Sequence, residues 1–339
     1  MPDFTPLKHP GALPEERRFR ERVRRDAFPI TFEALLPKGA NVGPRLEEIA
    51  RLECLPHLAA INTPNNPSAR VRVDPAAVGH LILDLGVDVL PHVTCRDDTL
   101  PGIQRWLFGA HVLGIRNVVV MTGDHPKEGD YPEEKRVDSV NAIELIAGIK
   151  QFLAKGLLIP DVTGATARRY MNRFAPPKPP QSIDPLHFFT GGVLIPWRNQ
   201  EESYMRAKLE AGADFFQTQI TWEAETSLDF IAAAEARGLL TGEVPILVGT
   251  SPFKSTRTLD FLKHNIPNVK VPPNVEARLR GARNVAEESV QVCVETGLAL
   301  RDGARDRGLK TKVGLHVMPM NETRLGDEVV TRIVKELRA

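Results

Sequence analysis

The sequence predicts an α/β protein built as a (β/α)8 (TIM) barrel, with an N-terminal helical extension and extra helices between strands seven and eight. Three observations carry this expectation. Eight short apolar runs alternate with helical patterns along the 339 residues, and only a closed barrel uses that alternation so completely. Several of the runs end in a polar residue, and in a barrel such ends converge on one rim. An open doubly wound sheet would normally announce a Gly-rich first turn, yet no GxGxxG follows the first strand.

The elements follow in order. Residues 1–28 are polar and rich in arginine between Arg17 and Arg25, with Glu15, Glu16 and Glu21 interleaved. They are expected to form a solvated helix packed on the outside of the domain. Residues 29–339 form a single barrel domain. The apolar run 29–36, carrying Glu33, is the first strand, and Lys38-Gly39-Ala40-Asn41 turns into a helix over 42–51. The second strand, 57–63, is broken by Pro64-Asn65-Asn66-Pro67. Asp74 as N-cap and Pro75 at the first helical position start a helix over 74–85.

The stretch 88–126 reads strand, helix, strand. Its first strand ends in Pro91-His92-Val93-Thr94-Cys95. Ile103, Trp106, Leu107, Ala110 and Leu113 then share one helix face, and Gly114 stops that helix. Val118-Val119-Val120-Met121 is the fourth strand and runs into Thr122-Gly123-Asp124. A polar loop leads to a helix over 138–155. The excursion 156–186 has a Pro-rich half that regular structure cannot accommodate. Strands are then expected at 187–195, 214–220, 244–249 and 312–318. The helices between them fall at 201–211, 226–237, 255–263 and 274–307, and 325–337 closes the chain.

Bulk composition narrows the function. A formal net charge of +1 gives no general reason to expect nucleic acid. Cys54, Cys95 and Cys293 lie far apart, which fits a reducing compartment rather than a disulfide framework. No apolar run reaches membrane-spanning length and no apolar leader is visible, so the expectation is a cytoplasmic protein without membrane contact.

The polar strand ends are Glu33, Thr63, His92 with Thr94, Asp124, Gln219 and His316. Each alone has a structural explanation, such as a satisfied core histidine. Together on one rim they read as a site. A glutamate and an aspartate could serve as acids whose pKa burial raises. Glu33, His92, Asp124 and His316 could also ligate a metal, but neither HxH on the first strand nor HExxH is present, and no metal is expected. There is no GxSxG elbow. Amide and hydroxyl groups dominate, which suits a flat heteroaromatic ligand such as a flavin or a pterin.

At these residues the chain resembles the 5,10-methylenetetrahydrofolate reductase family, over about residues 29–335. The pieces that carry the resemblance are Phe32-Glu33, Pro91-His92-Val93-Thr94-Cys95, and Gly114-Ile115-Arg116-Asn117 leading to Thr122-Gly123-Asp124. Further pieces are Lys208-Leu209-Glu210-Ala211-Gly212-Ala213-Asp214 leading to Thr218-Gln219, Pro252-Phe253-Lys254, Val271-Pro272, and His316 to Asn321. The resemblance implies reduction of 5,10-methylenetetrahydrofolate to 5-methyltetrahydrofolate by ping-pong hydride transfer from NAD(P)H through FAD, in the folate–methionine route. It implies that Glu33 is the acid that opens the folate five-membered ring to the N5 iminium, and that Asp124 tunes the flavin and stabilises that iminium. Gln219 would hold the pterin, and Phe253 would stack on the aminobenzoyl ring or the nicotinamide. Thr63, His92, Thr94, Thr122, Gly123, Asp124, Glu201, Lys208 and Gln219 would line the FAD site. Implied partners are the folate substrate and either a second copy of the chain or a methyltransferase subunit.

The chain also departs from the family's pattern. Thr122 stands where a cationic FAD contact is usual, and Ile195 to Asn199 and Met318 to Glu322 differ as well. These departures keep a second expectation open: a non-redox folate-binding methyltransferase or demethylase component without flavin.

Overall fold

Each of the eight apolar runs is a strand, and all eight are parallel. They are β1 (Ile30–Glu33), β2 (Ala60–Thr63), β3 (Val89–Thr94), β4 (Asn117–Met121), β5 (Phe189–Leu194), β6 (Phe215–Ile220), β7 (Ile246–Thr250) and β8 (Val313–Val317). In this computed structural model they pair in sequence order, and β8 returns to β1 through Ile30–Leu315, Thr31–His316 and Phe32–Val317, closing the barrel. Residues 13–160 and 181–338 are described; most of the Pro-rich excursion, 161–180, lies outside them.

One helix precedes the barrel, and those after the strands form an outer ring. In chain order the helices are α1 (Phe19–Arg25), α2 (Gly43–Ala50), α3 (Pro75–Leu83), α4 (Leu100–Val112), α5 (Ala142–Gln151), α6 (Glu201–Ala211) and α7 (Glu225–Ala236). Between β7 and β8 stand α8 (Thr256–Asn265), α9 (Pro273–Gly281) and α10 (Val285–Asp306), and α11 (Thr323–Arg338) ends the chain. Local chemistry sets their limits. Asp74 accepts from the Ala76 and Ala77 N–H groups to start α3. Asn141 and Glu144 form a reciprocal capping box on α5. Gly212, at φ +100°, ends α6.

Alternate residues of every strand point inward, and these interior side chains fall into two chemically distinct layers. At the amino ends Ala60, Leu90, Val119, Phe215 and Leu247 make an apolar layer. Above it lies a belt of polar side chains described below. The outward set packs on the helices in one continuous core.

Helix α1 corrects the expectation of an outer, solvated helix. Phe19 and Val23, four residues apart, are buried against the apolar layer and close the amino end of the barrel. The Phe19 ring meets Phe215 edge-on at 5.0 Å and Phe189 at 5.8 Å. Its N–H donates to Asp88 at 2.7 Å, just ahead of β3. Arg22 donates to the carbonyls of His57 and Leu58, just ahead of β2. The charged residues named in the sequence therefore tie the plug to the barrel floor. Burial of one phenylalanine contributes roughly 1.5–3 kcal/mol, enough to fix so short a helix in place.

Candidate active site at the carboxyl ends of the strands

Glu33 is the last residue of β1, Thr94 the last of β3, and Gly123 and Asp124 are the second and third residues after β4. Parallel strands deliver these positions to one mouth. The floor of the mouth is the polar belt. Asn62 Nδ2 donates to Gln217 Oε1 at 2.8 Å and lies 2.9 Å from His92 Nε2. Gln217 Nε2 donates to Asn62 Oδ1 and to Thr31 Oγ1, both at 3.1 Å. Thr31 Oγ1 lies 3.0 Å from His316 Nδ1.

Donor counting settles the His92 tautomer. An amide nitrogen can only donate, so His92 accepts at Nε2 and keeps its proton on Nδ1. Thr31 Oγ1 accepts from Gln217 and shares a hydrogen bond with His316 Nδ1. Both imidazoles are neutral: burial pushes His92 down to about 3, and burial together with the neighbouring His92 pushes His316 down to about 3. The belt is a self-satisfied network in which neither ring is poised to exchange protons near neutral pH.

Glu33 stands above this floor. Burial, and secondarily the negative charge of Asp124, push its carboxyl up to about 7. Near neutral pH it is therefore an acid still holding its proton for much of the time. Among the described residues Asp124 Oδ2 accepts from the Ser68 N–H at 2.7 Å, and that bond fixes one side of the carboxylate. Arg96, almost fully buried, donates to the Asp124 carbonyl at 3.3 Å and chelates Asp97.

Two further features shape the mouth. Thr94 Oγ1 is buried with no hydrogen-bond partner among the described residues. Gly123 has φ +90°, and a Cβ there would sit 3.1 Å from Arg96 and 3.2 Å from Thr94. Its bare backbone keeps a cradle open beside the unsatisfied hydroxyl.

The other residues expected at the site make contacts of their own. Thr63 points outward, and its hydroxyl donates to the Pro75 carbonyl at 3.0 Å; Asn62, one residue earlier, takes the inward place. Lys208 lies on the outer side of the β5 wall, donating to the Val193 carbonyl, and burial pulls its amine down to about 8. Glu201 is buried beside it, bound to Arg198 and 3.9 Å from Lys208. Gln219 donates to the Pro267 carbonyl at 2.9 Å and accepts from the Ile220 N–H; Gln217, two residues earlier, belongs to the interior belt. Phe253 is fully buried, edge-on to Trp222 at 5.8 Å, with its backbone bonded to Ser289. Thr122 is exposed at the rim.

The mouth therefore brings together Glu33, Thr94, Gly123 and Asp124 over His92. Asn62, Gln217, Thr31 and Arg96 were not anticipated. The readable signal was the pair Asn62 and Gln217, two amide side chains inside otherwise apolar runs. Among the described residues no group of three or more His, Cys, Asp and Glu is placed to hold a metal ion. No described helix is long and apolar enough to cross a membrane.

Comparison with known proteins bears on this mouth. The family model for methylenetetrahydrofolate reductase matches residues 18–161 and 196–334. Methylenetetrahydrofolate reductase (NADH) 1 of Zea mays is 23% identical over 241 residues, covering 71% of this chain and 37% of that protein. The 5,10-methylenetetrahydrofolate reductase of Pectobacterium carotovorum is 22% identical over 284 residues, 82% of this chain and 83% of that protein. The chain thus spans little more than a third of the maize relative's length. Among solved structures, an uncharacterized protein from Clostridium thermocellum that binds two copies of 5-methyl-5,6,7,8-tetrahydrofolic acid shares the fold. Its TM-score is 0.61 at 16% identity, over 94% of this chain and 99% of that one.

Proposed function

Because the chain belongs to the methylenetetrahydrofolate reductase family, we propose that it reduces 5,10-methylenetetrahydrofolate to 5-methyltetrahydrofolate. The observation that carries this reading is Glu33: a carboxyl raised to about 7 at the barrel mouth, facing the charge of Asp124. Opening the folate five-membered ring requires a proton on the departing nitrogen and leaves a cationic iminium. A neutral Glu33 supplies the proton, and the Asp124 carboxylate stabilises the cation in a site of low polarity.

Fit to FAD is tested on the residues themselves. The unsatisfied Thr94 hydroxyl, the open cradle at Gly123 and the one-sided Asp124 carboxylate are groups that a flat heterocycle with several donors and acceptors would satisfy. In the reading proposed here they hold the flavin, with the neutral His92 beneath. When bound, FAD supplies the route by which hydride from NAD(P)H reaches the folate one-carbon unit. The chain's own share is to orient the ring, keep Glu33 protonated and exclude water.

The deciding experiment is spectroscopic. Purified protein is expected to be yellow, or to become so with added FAD. NADH or NADPH should bleach the absorbance, and methylenetetrahydrofolate should restore it. A second reading, non-redox folate binding, draws on Thr122 at the rim and on Lys208 and Glu201 paired outside the barrel wall. Colourless protein that takes up folate but no FAD would establish that second reading in place of the first.

A further inference from the structure

The turn after β2 is unusually strained, and its strain ends on Asp124. Among the described residues seven non-glycine residues have left-handed φ, and three fall within four positions: Asn66 (44°), Ser68 (53°) and Ala69 (53°). Such backbone persists only where surrounding contacts dictate it. Asn66 is held by Arg96 and Asp97 of the loop after β3, each at 3.3 Å, and the rest of the turn by the loop after β4. Asp130 Oδ2 accepts from the Val71 N–H at 3.0 Å, and the Asp130 N–H donates to the Ala69 carbonyl at 3.3 Å. Gly129 lies so close that a Cβ there would be 2.0 Å from the Ala69 oxygen. Lys38, from the loop after β1, faces Asp130 at 3.6 Å. Inside this clasp, the Ser68 N–H is presented to Asp124 Oδ2 at 2.7 Å.

The two loops thus form a closed ring, joined at Asp124 by one bond and at Asp130 by two. We propose that Asp130 is a positioning residue: it holds the turn at 66–71 in its left-handed form so that Ser68 fixes Asp124 facing Glu33. Gly129 is the only residue type that lets the loops approach this closely. The inference rests on the roles proposed above for Glu33 and Asp124. The charged groups around that pair are few. Arg96 with Asp97 and Arg136 with Asp138 lie on the Asp124 side. Neutral His92 and His316 lie in the floor, and the Asp124 carboxylate is the charge that acts on Glu33. Releasing Asp124 toward solvent therefore removes the one negative charge that helps Glu33 keep its proton.

The test uses the full chain with Asp130→Ala, Asp130→Asn and Gly129→Ala. Asp130 is exposed, so its truncation leaves the core untouched. Asparagine keeps an acceptor oxygen for the Val71 N–H, whereas alanine does not. Two readouts are taken: amide hydrogen exchange over 66–72, and the pH dependence of the folate half-reaction. Asp130→Ala and Gly129→Ala are expected to speed exchange at least about tenfold in that segment. Both are also expected to move the alkaline limb to lower pH by roughly half a unit. Asp130→Asn is expected to behave as the unaltered chain. The proposal is overturned if Asp130→Ala leaves both readouts unchanged, or if asparagine and alanine act alike. Should the unaltered protein fail to reduce methylenetetrahydrofolate, the functional reading falls, while the exchange comparison still decides the positioning role.

Discussion

At the scale of the residue, Glu33, the proposed acid, would tie the reaction to stability. Its raised carboxyl pKa means that the folded protein binds this proton more tightly than the unfolded chain does. Sign follows directly: the position costs nothing below the ordinary value of 4.5, and it destabilises the fold increasingly as pH rises toward about 7. Glu33→Gln removes that cost. Denaturant midpoints are expected to show a gain on the order of 3 kcal/mol above neutrality, at 1.36 kcal/mol per pKa unit, and no gain below pH 4. The same variant is expected to abolish folate reduction while NAD(P)H still reduces the flavin; unchanged folate turnover would remove Glu33 from the acid's role. For the unaltered protein, the folate half-reaction should fall as pH rises through about 7. What the sequence could not reveal at this scale was parity. All four residues of β2 are buried, so no polar alternation tells which of Asn62 and Thr63 points inward. In β6 parity is not the obstacle, because Gln217 and Gln219 stand two apart on one strand; what separates them is depth along the strand and a register irregularity between Gln217 and Ile220.

Among the elements, α1 shows how a charged sequence can still be a piece of core. Its arginines dominate the composition, but the spacing of Phe19 and Val23 is that of one helical face. That spacing was legible; its destination was not, because nothing local says that a barrel end needs closing. Phe19→Ala is expected to cost about 3–5 kcal/mol, since the ring leaves a cavity among Leu90, Phe215 and Leu247 that fixed strands cannot collapse into. Urea titration would measure it, and a loss under 1 kcal/mol would show that α1 is not seated as described. Helix starts were readable where cap chemistry or proline marks them, as at Asp74-Pro75. The 161–180 part of the excursion that sequence singled out lies outside the described residues.

On the scale of the whole molecule, the interior belt joins β1, β2, β3, β6 and β8 through side chains alone. Its two histidines remain neutral in the folded state down to about pH 3 and become charged near 6.5 once unfolded. The stability these two groups contribute is therefore full above 6.5 and is lost as pH falls from there toward 3. In that window the two groups contribute a slope approaching two protons, about 2.7 kcal/mol per pH unit. A His92→Gln variant should lose about one proton of that slope in acid titrations followed by circular dichroism; an unchanged slope would mean that His92 is protonated in the fold. The plug at the opposite end has a different consequence. With α1 filling the amino end and the belt filling the middle, the described barrel is a well with one doorway. In the proposed reaction two reactants share that threshold, so each is expected to act as a competitive inhibitor toward the other's turn. The order of events would be a matter of traffic before it is a matter of chemistry.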